Sequence, residues 1–330
     1  MQKSQKVIKQ GHNTLTITLP SEWARNVKLK AGDLVNLHLL DEALLISRDN
    51  QSQESSVEFS LQGLDVPTIW KYFMAAYRNG YDEFVVRFDQ DMQIEEPYLF
   101  KVKWRAQTKK KVSQKKVHVL EFLQSLIERF VGLEIVEQGP TFVRIKEMGE
   151  LTPKVFDNAF RRVFFLISQM VDATHNTVQK NDPQFMTRVH QLDISVDKFQ
   201  DYCIRILNKS LLANQKTKIQ FSTLYILEHI GDEFKDIASL LLYDFSTPKF
   251  AHLRSVMELV KQEWDLYHAC HFTYSADAIR QISDIDLKIF MQTPQIYSTL
   301  NEQEKEVFHH LRLVTKEINT LLELRIQQEL

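Results

Sequence analysis

The chain has 330 residues, 44% of them hydrophobic and 25% charged. That is an ordinary globular composition in a chain too long for one compact core, and it suggests two or three domains. A formal net charge of −2 excludes a global polybasic attraction to nucleic acid or membrane, so any such partner must be met by a local patch. Of eight glycines, seven (Gly11, Gly32, Gly63, Gly80, Gly132, Gly139 and Gly149) precede Leu151, and Gly231 alone follows it. Neither GxGxxG nor GxxxxGKS/T occurs, so phosphate cradles of the Rossmann and P-loop kinds fall away.

The first residues, MQKSQKVIKQGHN, hold no apolar signal core, and no apolar run approaches the roughly 18 residues of a membrane span. Cys203 and Cys270 form no CxxC or zinc spacing. These features point to a soluble protein of the cytoplasm.

Three zones follow in chain order. In residues 1–50, Leu15, Ile17 and Leu19 alternate with Thr14, Thr16 and Thr18, and Val35, Leu37 and Leu39 alternate with polar neighbours, so short strands are expected. Pro20-Ser21 opens a short helix, Lys30-Ala31-Gly32-Asp33 makes a turn, and Asp49–Ser56 reads as a linker. Residues 57–150 alternate strand and helix as a small α+β module. Strands are expected over Val57–Leu61, Phe84–Phe88, Leu133–Glu137 and Thr141–Ile145, with helices over Asp65–Asn79, ending at Gly80, and His118–Val131. From Leu151 to Leu330 the pattern is entirely helical. Thr152-Pro153, Asp182-Pro183, Thr247-Pro248 and Thr293-Pro294 each read as a cap followed by proline at the first helical position. Long apolar stripes, such as Leu227, Ile230, Phe234, Ile237 and Leu241, predict a bundle of five or six helices.

The first module is too small to be stable alone and is expected to need a second copy of itself. Residues 1–34 carry Lys3, Lys6, Lys9, Arg25, Lys28 and Lys30 against only Glu22 and Asp33. A basic loop, Lys9-Gln10-Gly11-His12-Asn13, leads into the strand at Thr14 and offers charge for phosphates and polar groups for base edges. The stretch VIKQGHNTLTITLPSEWARNVKLKAGDLVNLHLLDEALLIS, 7–47, resembles the SpoVT-AbrB (MazE-like) domain. That resemblance implies half of a swapped-hairpin β-barrel, completed in a homodimer whose basic face binds DNA. Lys6, Lys9, His12, Asn13, Thr14 and Arg25 are then the DNA-facing residues. Taken by themselves, the same residues read more readily as solvated edge charges, and it is the resemblance that favours DNA.

In the helical half, Asp193 with Asp197 and Glu228 with Asp232 place carboxylates four apart, stacked on one helix face where a cation would offset their repulsion. Acids so spaced are also common on solvated faces. LEHIGDEFKDIA, 227–238, resembles the LERIGD–NIA signature of PhoU proteins, departing at His229 and at Phe234-Lys235, and QLDISVDKFQ, 191–200, resembles the helix before it. The resemblance implies a PhoU-like bundle concerned with phosphate uptake, with a divalent or iron- or zinc-type metal ion on Asp193, Asp197, Glu228 and Asp232. KEINTLLELR, 316–325, lacks the acidic pair a second repeat would carry, which leaves one metal site at most. The whole arrangement is similar to archaeal PhoU-type regulators.

Two other clusters stand out. Lys101, Lys103, Arg105, Lys109–Lys111, Lys115 and Lys116 surround Trp104 without an acid, as a solvated loop or a second DNA contact. His268, Cys270 and His271 sit on one helix, with His309 and His310 later, and these histidines read as core-edge or surface residues and not as metal ligands. The leading expectation is a dimeric DNA-binding transcriptional regulator of phosphate uptake and not an enzyme. The alternatives are an adaptor that contacts a phosphate transporter or signalling protein without binding DNA, and a carboxylate-bridged metal enzyme.

Overall fold

The computed structural model describes residues 4–40, 43–48, 55–95, 116–149, 152–210, 215–243, 250 and 253–330. The chain divides into two compact units, Met1–Glu54 and Ser55–Leu330.

The first unit is two antiparallel hairpins and a short helix. Strands β1 (Ile8–Gln10) and β2 (Thr14–Thr16) pair Lys9 with Leu15 and Gln10 with Thr14. Gly11 makes their connection at φ +78°, a backbone region where a side chain would be strained. Helix α1 (Ser21–Asn26) follows Pro20. The Lys30 amide donates to Asp33 Oδ2 at 2.8 Å, closing the expected turn before β3 (Val35–Leu40) pairs with β4 (Ala43–Arg48).

The second unit starts with a four-stranded sheet in the order β5 (Ser56–Ser60), β6 (Glu83–Arg87), β10 (Phe142–Glu147) and β9 (Leu133–Gln138). Strand β5 runs parallel to β6, and the other neighbours are antiparallel. A parallel pair needs a crossover, supplied by α2 (Val66–Arg78), which Asp65 caps through the Thr68 amide and Gly80 ends at φ +86°. Between β6 and β9 the chain forms a small ladder of β7 (Gln93–Glu95) with β8 (Lys116–His118), then α3 (Val119–Ile127). That helix ends four residues before the expected Val131. Its last turn loosens into amides bonded three residues back, Arg129 to Leu126 and Phe130 to Ile127. Most of the basic cluster, 101–115, lies outside the described residues, as does Thr247-Pro248.

Among the described residues six long helices follow: α4 (Pro153–Lys180), α5 (Val189–Lys209), α6 (Gln215–Tyr243), α7 (Arg254–Phe272), α8 (Ala276–Thr299) and α9 (Glu302–Glu329), with a 3-10 turn at Pro183–Arg188. Thr152 caps α4 as expected, and Asp182 caps the 3-10 turn. Thr293-Pro294 does not start a helix. Helix α8 passes through Pro294, and the Thr293 hydroxyl donates back to the Ile289 carbonyl at 2.8 Å instead of capping. The true boundary is Asn301, which forms a reciprocal capping box with Glu304. One hydrophobic core runs from Phe84 and Ile145 in the sheet to Phe234, Trp264 and Leu311 in the bundle. The expected 57–150 and 151–330 pieces are therefore parts of one compact unit.

Candidate functional site

In the first unit the expected DNA-facing residues are all exposed. Lys9, His12, Asn13 and Thr14 share the β1–β2 hairpin and its connection, Lys6 precedes β1, and Arg25 stands on α1 with its Nε donating to the Ser21 carbonyl. No described side chain between 4 and 48 is buried. Large apolar residues stand open instead: Leu34 is 73% exposed, Leu15 70% and Leu37 57%.

The second candidate lies where α5 and α6 pack. Asp193 and Asp197 on α5 come together with Glu228 and Asp232 on α6, so the two sequence pairs do converge. Gly231 lies beneath Val196 and Asp193; a Cβ there would stand 3.5 Å from Val196 Cγ1 and 3.9 Å from Asp193 Oδ1, an ordinary contact. Burial, with the neighbouring Asp197 charge, raises the Asp193 carboxyl above the usual range. Burial also raises Asp197. Glu228 is pushed up to about 7, by burial first and the Asp232 charge second.

A cation sits among these acids. Lys235, one turn beyond Asp232, has its Nζ 3.2 Å from Asp193 Oδ2 and forms an ion pair with Asp232. The carboxylates that would have to face one another across a metal are thus both engaged by an ammonium. Among the described residues no group of three or more His, Cys, Asp or Glu is arranged to hold a metal ion. As a donor set, the four acids with Lys235 between them do not fit a divalent cation.

The acidic line on α5 continues with basic residues, all four apart. Arg129, at the end of α3, reaches Asp197 at 3.5 Å, and Arg78 of α2 donates to Asp201 at 2.5 Å. Farther along, Arg205, wholly buried, binds Glu147 at 3.0 Å and donates to the Tyr77 and Tyr81 carbonyls at 2.8 and 2.7 Å. Lys209 pairs with Asp82 and with Glu147, while Asp82 also accepts from the amide and hydroxyl of Ser55. The α+β module is thereby fastened to α5 through charge pairs. Sequence spacing pointed to Asp193 and Asp197. The signals for the rest were the continued four-residue step to Asp201, Arg205 and Lys209, and the lysine where the 227–238 motif departs from its pattern.

The histidine clusters are structural. His268 shares a hydrogen bond with Ser168 at 3.1 Å. His271 packs on Phe164 beside the Tyr267 hydroxyl, and burial holds its pKa down to about 3. His229 is more than half exposed and lies 3.9 Å from Glu228.

Residues 8–53 match the family model described as antidote-toxin recognition MazE, bacterial antitoxin. No curated protein matches the chain. Among solved structures, PhoU from Pseudomonas aeruginosa is similar over 52% of this chain and 94% of its own, with 16% identity and a TM-score of 0.44.

Proposed function

We propose that this chain, with its MazE-like domain in front of an α+β module and a helical bundle, is a transcriptional regulator that binds DNA as a homodimer through residues 1–50. The observation that carries the reading is the joint exposure of Lys9, His12, Asn13 and Thr14 on one hairpin of a unit whose apolar side chains lack a cover. Two copies would bury Leu15, Leu34 and Leu37 against one another and present two basic hairpins. Lys6, Lys9 and Arg25 then supply phosphate contacts that set position, while His12 and Asn13 supply groups able to read base edges. The bundle would serve as a sensor of phosphate status in the cytoplasm, a role supported by the likeness of 191–200 and 227–238 to PhoU segments.

A second reading has its own support. The matched family is described by recognition of a toxin, which is a protein contact, so the dimerised unit could serve an adaptor that meets a transporter or signalling partner without DNA. The metal-enzyme reading loses its footing where Lys235 stands among the acids.

Titrating DNA binding of the full chain against salt separates the first two. A regulator shows a steep linear fall of log affinity with log salt, and Lys9→Ala or Arg25→Ala each lowers that slope by about 1. Absence of binding to any duplex at low salt leaves the adaptor.

A further inference from the structure

We infer that Lys235 is the resident cation of the α5–α6 carboxylate groove, a tethered ammonium that stands where a metal ion would bridge the two helices. The inference does not depend on DNA binding and would hold equally for an adaptor.

Geometry carries it. A bridging ion must touch acids from both helices, and Lys235 does so already, reaching Asp193 on α5 and Asp232 on its own helix. Its position three residues after Asp232 lets the stem lie along α6 while Nζ turns toward α5. Asp193 is nearly buried, with its side chain 8% exposed, so a charge there is held only beside a cation within the fold. The other acids of the α5 line also find their cations inside the chain: Asp197 meets Arg129 and Asp201 meets Arg78. A divalent ion entering the groove would have to displace the ammonium and then lie close to the positive charge it displaced. An ammonium offers donors only and cannot join the coordination shell.

The consequence is a helix contact that needs no metal and ignores chelators. In the full-length protein, exposed to Mn²⁺ or Zn²⁺ and then desalted, metal content by mass spectrometry is expected below about a tenth of an ion per chain, and EDTA leaves the melting temperature unmoved. Lys235→Ala opens the groove and is expected to retain about one ion per chain, with affinity at least tenfold above wild type. Adding Asp193→Asn to that variant abolishes the gain. Lys235→Gln, which keeps most of the stem, serves should the alanine variant fold poorly. Wild-type protein that retains a stoichiometric ion, or variants that gain none, would overturn the assignment.

Discussion

The two units solve the same problem in opposite ways. Residues 4–48 have regular hairpins, a correct turn at Gly11 and a short helix, yet bury no described side chain. The unit Ser55–Leu330 buries apolar residues from Leu61 to Leu322 in one core and tolerates inside it an arginine, Arg205, and a glutamate, Glu263. Local hydrogen bonding is thus enough to shape strands. Burial is what stabilises them, and a core large enough can carry polar groups at a loss. The described part of the first unit has no burial of its own, while the second has burial to spare.

This contrast can be broken at its weakest point first. Leu15→Lys places a charge in the uncovered apolar set and is expected to convert a two-chain particle to a single chain in light scattering; an unchanged mass would show that the unit does not pair through that face. Next in size is Arg205→Met. It leaves Glu147 with Lys209 alone and removes the guanidinium donors from the Tyr77 and Tyr81 carbonyls, so urea unfolding should show a loss of about 3 kcal/mol.

Glu263 works in the opposite direction. It lies wholly buried, and its carboxyl oxygens have no hydrogen-bond partner among the described residues. Burial, with a smaller contribution from the Asp286 charge, pushes its pKa up to about 9. A carboxyl raised on folding binds its proton more tightly in the native state, so stability is full below the unfolded value near 4.5 and falls as pH rises toward 9. At pH 7 the cost of keeping it neutral is about 3 kcal/mol. Glu263→Met should therefore stabilise the protein by about 1–3 kcal/mol and flatten the decline between pH 5 and pH 9. A variant with the wild-type slope would place the pH dependence elsewhere. The smallest effect belongs to Gly231→Ala. The added methyl meets only ordinary contacts, and the helix should gain up to about 1 kcal/mol in thermal unfolding.

Much of this architecture was legible because it is written locally. Asp65 and Gly80 bracket α2, Thr152-Pro153 opens α4, and alternation at 14–19 predicts a strand of which β2 forms the first half, to Thr16. The two carboxylate pairs were legible because a four-residue step fixes a helix face. Contacts that depend on distant partners were not: Arg78 and Asp201 are 123 residues apart, and nothing in either neighbourhood names the other. Strand order was hidden for the same reason, since β10 enters between β6 and β9 only through tertiary packing. Thr293-Pro294 misled because a threonine hydroxyl has two outlets. It can cap the helix ahead or bond the carbonyl one turn behind, and here it does the second within a continuous α8.

The polar line on α5 has the geometry of a screw. Four residues advance a helix by about 400°, so each step overshoots a full turn by about 40°. From Asp193 to Lys209 the side chains wind through about 160°, nearly halfway around the axis. The thread begins against Lys235 of α6, passes Arg129 and Arg78, and ends on Glu147 of β10 and on Asp82 just before β6. One helix therefore engages another helix of the bundle and several elements of the α+β module with a single repeated spacing. Inserting one residue between Asp197 and Asp201 would turn everything beyond it by about 100°, and all the contacts of Asp201, Arg205 and Lys209 would be lost together.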